Sequence, residues 1–177
     1  MVPTLITLGI IVLALAALLG YAATKPDTFR VQRSASFAAP PERIFPHLND
    51  FHNWASWSPW EKLDPFMTKT HSGAANGRGA VYEWEGNKKV GKGRMEIVEE
   101  SIPSKITIKL DFFKPFEAHN TAQFTLASRG ESTEITWAMD GSQPFMFKVM
   151  GVFVNLDNMI GKDFETGLAN LKGIVEK

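Results

Sequence analysis

Histidine is a common metal ligand and acid–base catalyst, and the chain has four: His47, His52, His71 and His119. No pair of them combines zinc-site spacing with a third ligand nearby. Cysteine is absent, which excludes thiolate metal sites, disulfides and a cysteine nucleophile. We therefore predict no metal, no cofactor and no catalytic residue, and we interpret the histidines as surface or core residues.

Glu83 and Glu85 are a second candidate, because paired carboxylates can divide acid and base work when burial separates their pKa values. The two glutamates flank Trp84. In a strand that points Tyr82 and Trp84 inward, alternation turns both carboxylates toward water. We therefore predict a structural role for this pair.

Alternation on the later strands places Asn120 on the apolar face, and His119 and Asp111 on the outer face. A bend at residues 115–116 would reset the register, and His119 would then face the interior as a possible base. We favour the outward orientation.

Two glycine pairs, Gly77 with Gly79 and Gly91 with Gly93, resemble part of a phosphate-binding loop. Neither pair has the third small residue of a dinucleotide fingerprint, and neither precedes a helical pattern. We interpret them as bends or bulges that curve a sheet.

Trp54, Trp57 and Trp60 place three large rings in one short segment, each three residues after the last. They either pack to close one end of a sheet or form the mouth of a ligand cavity. Aromatic clusters more often pack than bind, which favours the first role. The three residues are nevertheless our candidates for a cavity mouth.

The elements that position these residues differ sharply in charge. The 177 residues include 19 basic and 19 acidic side chains, so the formal net charge is zero and we predict no nucleic-acid partner. All of the charged residues follow Ala23. The first 23 residues are therefore suited to an apolar environment, and the remaining residues are suited to water.

Residues 4–23 read TLITLGIIVLALAALLGYAA, and a helix of this length just spans a hydrocarbon core of about 30 Å. We predict a single transmembrane helix within an anchor segment of residues 1–24. A cleaved signal peptide is the alternative, supported by Gly20 and Ala22 at an A-x-A-like spacing. A buried core helix is disfavoured because the segment is apolar on every face.

The charges that follow the anchor give a weak indication of its orientation. Lys25, Arg30 and Arg33 lie on its C-terminal side, and no basic side chain precedes it. The positive-inside rule then favours a single-pass membrane protein whose remaining residues are cytoplasmic.

Residues 25–177 are predicted to be one domain, because no repeat, low-complexity tract or linker divides them. Period-two patterns predict a strand over 28–37 and an antiparallel meander over 66–141, with two short helices between them. Apolar residues recur every three or four positions over 156–175, which predicts a long C-terminal helix. A separate short helix is expected around Val149. The fold class is therefore α+β, with the long helix laid across the sheet.

Four segments of the chain resemble the polyketide cyclase/dehydrase-like branch of the START and pollen-allergen (SRPBCC) superfamily. They are residues 49–60 (NDFHNWASWSPW), 77–87 (GRGAVYEWEGN), 91–97 (GKGRMEI) and 114–117 (KPFE). The resemblance covers about residues 28–176. Its motifs are specific for the fold and much less so for chemistry.

This resemblance implies a helix-grip fold, in which a curved antiparallel sheet wraps the C-terminal helix and leaves a cavity that takes lipids, sterols, polyketides or other apolar molecules. The side chains expected to line that cavity are those on the inward faces of the strands and of the helix. They are Trp84, Met95, Ile97, Ile108, Leu110, Phe112, Phe124, Trp137, Met139, Ile160 and Phe164.

Three functional hypotheses follow. The favoured one is a membrane-anchored binding module that holds a hydrophobic or amphipathic, lipid-like small molecule. The second is a cyclase, dehydratase or hydrolase that uses the same cavity, although no nucleophile, base and orienting residue stand out together. The third is an interaction platform with a collapsed cavity.

Overall fold

The computed structural model describes residues 2–177. The helices are α1 (Val2–Ala23), α2 (Pro41–Ile44), α3 (Pro46–Asn49), α4 (Phe145–Phe153) and α5 (Leu156–Val175). The strands are β1 (Thr28–Phe37), β2 (Thr68–Gly73), β3 (Ala80–Glu85), β4 (Lys92–Ser101), β5 (Lys105–Lys114), β6 (Ala118–Arg129) and β7 (Ser132–Ser142). Two 3-10 helices, Phe51–Ser56 and Pro59–Lys62, connect α3 to β2.

The seven strands form one antiparallel sheet in the order β1-β7-β6-β5-β4-β3-β2. Strands β2 to β7 follow one another as a meander, and β1 closes the sheet beside β7. Helix α5 packs on the inner face, where Phe164, Leu168, Leu171 and Val175 are buried. The predicted α+β helix-grip architecture is confirmed.

Helix α1 carries no charge, and its segment Ile6–Ala23 is almost entirely exposed. Its segment Ile6–Ala23 is long and apolar enough to cross a membrane, and a signal sequence would have the same features. Ala22 near its C-terminal end is buried, and the helix contacts α4.

Two glycines let α5 approach the sheet closely. A Cβ atom on Gly167 would lie 2.8 Å from the ring of Trp137, so a larger residue there would push the helix away. The guanidinium of Arg33 lies over Gly161 and forms ion pairs with Asp157 and Glu165. These contacts fasten β1 to the first half of α5.

The interior is divided into a packed half and a hollow half. The ring of Trp137 on β7 stacks on Phe164 of α5 at a centroid distance of 4.1 Å. Phe124 and Trp57 pack on the far side of this stack, where both side chains are fully buried. The cavity lies on the opposite side of the stack from Phe124 and Trp57, and the stack forms part of its wall.

Candidate functional site

A cavity of about 480 Å³ lies between the sheet, α4 and the first turns of α5. Pockets for small organic molecules usually measure about 300–1,000 Å³. Its wall is mainly apolar and comes from the inward faces of β1 and β3 to β7, from the two 3-10 helices and nearby loops, and from α4 and α5. The apolar residues of the wall are Phe29, Trp54, Trp60, Leu63, Met67, Trp84, Val90, Met95, Leu110, Phe112, Ala118, Ala122, Trp137, Met139, Pro144, Phe147, Leu156, Met159, Ile160 and Phe164.

The structure brings eight of the eleven residues expected from the sequence to this wall. They are Trp84, Met95, Leu110, Phe112, Trp137, Met139, Ile160 and Phe164. The other three, Ile97, Ile108 and Phe124, point to the same side of the sheet but are fully buried in the packed half. The eight lining residues and the three packed residues thus share a face of the sheet and differ in their position along the strands.

The three tryptophans lie in the packed half and along the cavity wall. Trp57 is 0% exposed, and its indole nitrogen donates a hydrogen bond to the carbonyl oxygen of His47 at 3.0 Å. Trp54 is 4% exposed and packs against Trp57, while Trp60 reaches the cavity beside Phe164. Trp57 thus has the packing role that the sequence favoured, whereas Trp54 and Trp60 also line the cavity, and none of the three is exposed at its opening.

Residues that both line the cavity and remain exposed mark its opening. These are Leu63, Lys89, Glu117, Ser142, Pro144 and Met159. They come from the end of a 3-10 helix, the β3–β4 and β5–β6 loops, the last residue of β7, the residue before α4 and the start of α5. The opening is therefore formed by loops and helix ends at one end of the sheet.

A hydrogen-bonded group of three side chains lies on one side of the cavity. The hydroxyl of Tyr82 donates to Glu61 at 2.6 Å, and Lys69 pairs with the other oxygen of the same carboxylate. Burial, together with the hydrogen bond to Glu61, raises the pKa of Tyr82. This tyrosine therefore stays protonated, and its hydroxyl already donates its hydrogen bond to Glu61.

Two further polar groups face the cavity. Burial raises the pKa of Asp163, although the side chain of Trp60 opposes the shift by hydrogen bonding. Asn120 is nine-tenths buried, and its Oδ1 has no hydrogen-bond partner within the protein. The wall thus has a few polar points in an apolar surface, which suits a ligand with one polar end.

The prediction that Glu83 and Glu85 face water is confirmed, since both side chains are exposed. Glu85 forms ion pairs with Lys92 and Lys114, which hold its pKa below the ordinary value. Neither glutamate lines the cavity, in agreement with the outward orientation that alternation indicates.

His119 and Asp111 lie on the outer face as predicted, and Asn120 faces inward. The burial of Asp111 was not anticipated: its side chain is only 6% exposed, beneath His119 and Lys109. The Nδ1 atom of His119 lies 2.7 Å from the carboxylate, and this contact raises the pKa of His119. Burial raises the pKa of Asp111, but hydrogen bonds from His119 and Lys109 outweigh it and lower the pKa overall.

This pair predicts a pH-dependent contribution to stability. The raised pKa of His119 gives stabilisation that is complete below its ordinary pKa of 6.5 and is lost as the pH rises through the folded value. The lowered pKa of Asp111 gives stabilisation that is lost as the pH falls below its ordinary value of 3.8. We expect His119→Gln to destabilise the protein more at about pH 5.5 than at about pH 9, as measured by urea unfolding. An equal loss at both pH values would contradict the account.

Within residues 2–177, no three His, Asp or Glu side chains are grouped as metal ligands would be. A second concavity, of about 640 Å³, lies at the outer face beside Arg30, His119 and Asp140. Arg30 there is paired with Asp140 at 2.7 Å, so its charge is already neutralised. The apolar cavity on the inner face is therefore the stronger candidate site.

A sequence model of one family matches residues 28–176, which include every strand and the whole of α5. That family is described as polyketide cyclase / dehydrase and lipid transport. The chain belongs to this family. A comparison with curated proteins gives no match.

Solved structures show the same fold at low sequence identity. Protein CV1439 from Chromobacterium violaceum is 18% identical with a TM-score of 0.59, over 86% of this chain and 99% of that one. Ginseng major latex-like protein 151 from Panax ginseng is 12% identical with a TM-score of 0.61, over 85% and 99%. The Aha1 dimer from Colwellia psychrerythraea is 13% identical with a TM-score of 0.59, over 84% and 96%. These likenesses establish the SRPBCC fold for this chain.

Proposed function

We propose that this family member is a membrane-anchored binding module that holds one hydrophobic or amphipathic, lipid-like molecule between the sheet and α5. The observation that carries the proposal is the apolar cavity of about 480 Å³, which the fold leaves open at one end. The family description, with its reference to lipid transport, supports the same class of ligand.

The polar points on the wall support an amphipathic ligand. Asn120 and Asp163 are polar side chains on an otherwise apolar wall, and burial raises the pKa of Asp163. A ligand hydroxyl or carboxyl group could exchange hydrogen bonds with such groups while its apolar body contacts Met95, Leu110 and Met139.

The binding test is a titration of the protein with an apolar probe whose fluorescence rises in a dry environment. We expect saturable binding of one probe per chain, with displacement by long-chain fatty acids. Binding that never saturates, or that fatty acids do not displace, would contradict a defined site.

If residues 1–24 anchor the protein in a membrane, the domain that starts at residue 25 should fold without them. The domain of residues 25–177 contains the complete sheet and α5, so a chain that starts at Lys25 should be recovered without detergent and show the same strand content. The full chain should stay with membranes, on the cytoplasmic side, and keep its first residues. N-terminal sequencing of the mature protein measures this, and a mature terminus at or after Ala23 would show that the segment is a cleaved signal.

A further inference from the structure

Helix α4 presents an unusually apolar surface to solvent. Met146 is 69% exposed and Phe153 is 74% exposed, and Phe145 and Met150 beside them are about half exposed. The one charged residue of this helix, Lys148, points the other way and is buried. The outward side of α4 therefore has no polar group to hydrate, and such a surface normally has an apolar partner.

Three contacts fasten α4 to the segment that leaves α1. The ammonium of Lys25 donates a hydrogen bond to the carbonyl oxygen of Gly151 at 3.0 Å. The backbone N–H of Gln143 donates to the carbonyl oxygen of Asp27 at 2.6 Å. The carboxylate of Asp27 forms an ion pair with Lys148. Helix α4 is thus held at both ends beside the exit of α1.

The short connection fixes the depth of α4 relative to a bilayer that α1 would span. Asp27 follows the last residue of α1 by four positions, so even a fully extended chain places it within about 14 Å of the helix end. The interfacial layer of a bilayer adds about 5–7 Å on each side of the hydrocarbon core. The contact between Ala22 and the rest of the protein brings α4 closer still.

We propose that α4 is an interfacial helix whose exposed side lies in the surface of the bilayer that α1 spans. The membrane is the occupant because the apolar side is continuous with the apolar helix α1 and is tied to it by the contacts of Lys25 and Asp27. This inference rests on the proposed function, since it takes α1 to be a retained anchor.

The same placement turns the opening of the cavity toward the lipid. Pro144 at the opening directly precedes α4, and Phe147 of α4 is part of the cavity wall. Phe116 of the β5–β6 loop is 59% exposed and packs on Phe147 at a centroid distance of 5.9 Å, which extends the apolar surface around the opening. A ligand can therefore pass between bilayer and cavity without crossing open water.

Site-directed spin labelling tests this placement on the full chain, which has no cysteine of its own. Nitroxide labels are attached at Met146→Cys and Phe153→Cys on α4. The references are Leu13→Cys within α1 and Ser128→Cys at the far end of β6. The protein is placed in vesicles of phosphatidylcholine and phosphatidylglycerol, and collision with oxygen, which concentrates in lipid, is compared with collision with a water-soluble nickel chelate.

We expect the oxygen-to-nickel collision ratio at positions 146 and 153 to be several-fold higher than at Ser128 and to approach the value at Leu13. Ratios at 146 and 153 equal to that at Ser128, with Leu13 in lipid, would overturn the inference and leave the anchor intact. A label at Leu13 that contacts only water would overturn both. Labels on α4 that are shielded from both reagents would indicate a protein partner instead and would also overturn it.

Discussion

Replacing Phe124 with alanine is expected to lower the free energy of unfolding by about 3–5 kcal/mol and to leave probe affinity unchanged. Phe124 is 0% exposed, and its ring lies 4.8 Å from that of Trp137 and 6.0 Å from that of Trp54, measured between centroids. Truncation therefore leaves a void at a close-packed position that does not itself line the cavity. Urea unfolding and probe titration of the chain that starts at Lys25 measure the two quantities.

Met139→Ala is the matched comparison, because Met139 also points inward, on the neighbouring strand, but borders the cavity. It has fewer packed neighbours to lose, so we expect a cost below about 2 kcal/mol, under the usual 2–5 kcal/mol for truncating a core methionine. Probe affinity should change in this variant. Equal destabilisation by the two substitutions, with unchanged probe binding in both, would show that the domain has no functional cavity.

Replacing Ala122 with phenylalanine is expected to weaken probe binding at least about tenfold, which corresponds to about 1.4 kcal/mol. Ala122 is on β6 directly opposite Met139 on β7, and both line the cavity. A benzyl group at this position would occupy the space that a ligand needs. The melting temperature should stay the same or rise, because the new side chain fills a void without displacing packed neighbours.

Ala127→Phe is the control for that substitution. Ala127 is on the same strand, five residues further on, and faces the outer side of the sheet. We expect it to leave probe affinity unchanged. If Ala122→Phe binds the probe as tightly as Ala127→Phe does, the ligand lies elsewhere.

The face on which each residue lies was predictable from the sequence. Period-two alternation correctly separated Leu110 and Met139 on the inner side from Glu85 and His119 on the outer side. The pattern repeats identically along the whole strand, so it contains no information about which end of the strand is packed. Ile108 and Leu110 both point inward, yet only Leu110 reaches the cavity.

The division into packed and hollow halves depends on how closely α5 approaches the sheet. Gly167 brings the helix onto Trp137 in the packed half, whereas Leu156 and Met159 at the start of α5 border the cavity. A helix pattern gives the side that faces the sheet and not its distance. The distance between helix and sheet is set by residues brought together from β7, α5 and residues 54–60.

Three features of the structure were not predicted because they depend on side-chain contacts between elements or across neighbouring strands. The contact between Tyr82 and Glu61 links two elements 21 positions apart, and Asp111 is buried by neighbours on its own and the next strand. The sequence predicts a short helix around Val149, but the pairing of Lys148 with Asp27 across 121 positions determines which side of that helix is free. Local patterns do not specify such contacts.

The most direct test of the proposed cavity is a mass spectrum of the organic extract from full-length protein purified from membranes. We expect the wild-type chain and Ala127→Phe to retain close to one lipid-like molecule per protein, and Ala122→Phe to retain none. An empty wild-type extract, or equal retention by Ala122→Phe, would contradict the proposal that the cavity holds a hydrophobic ligand.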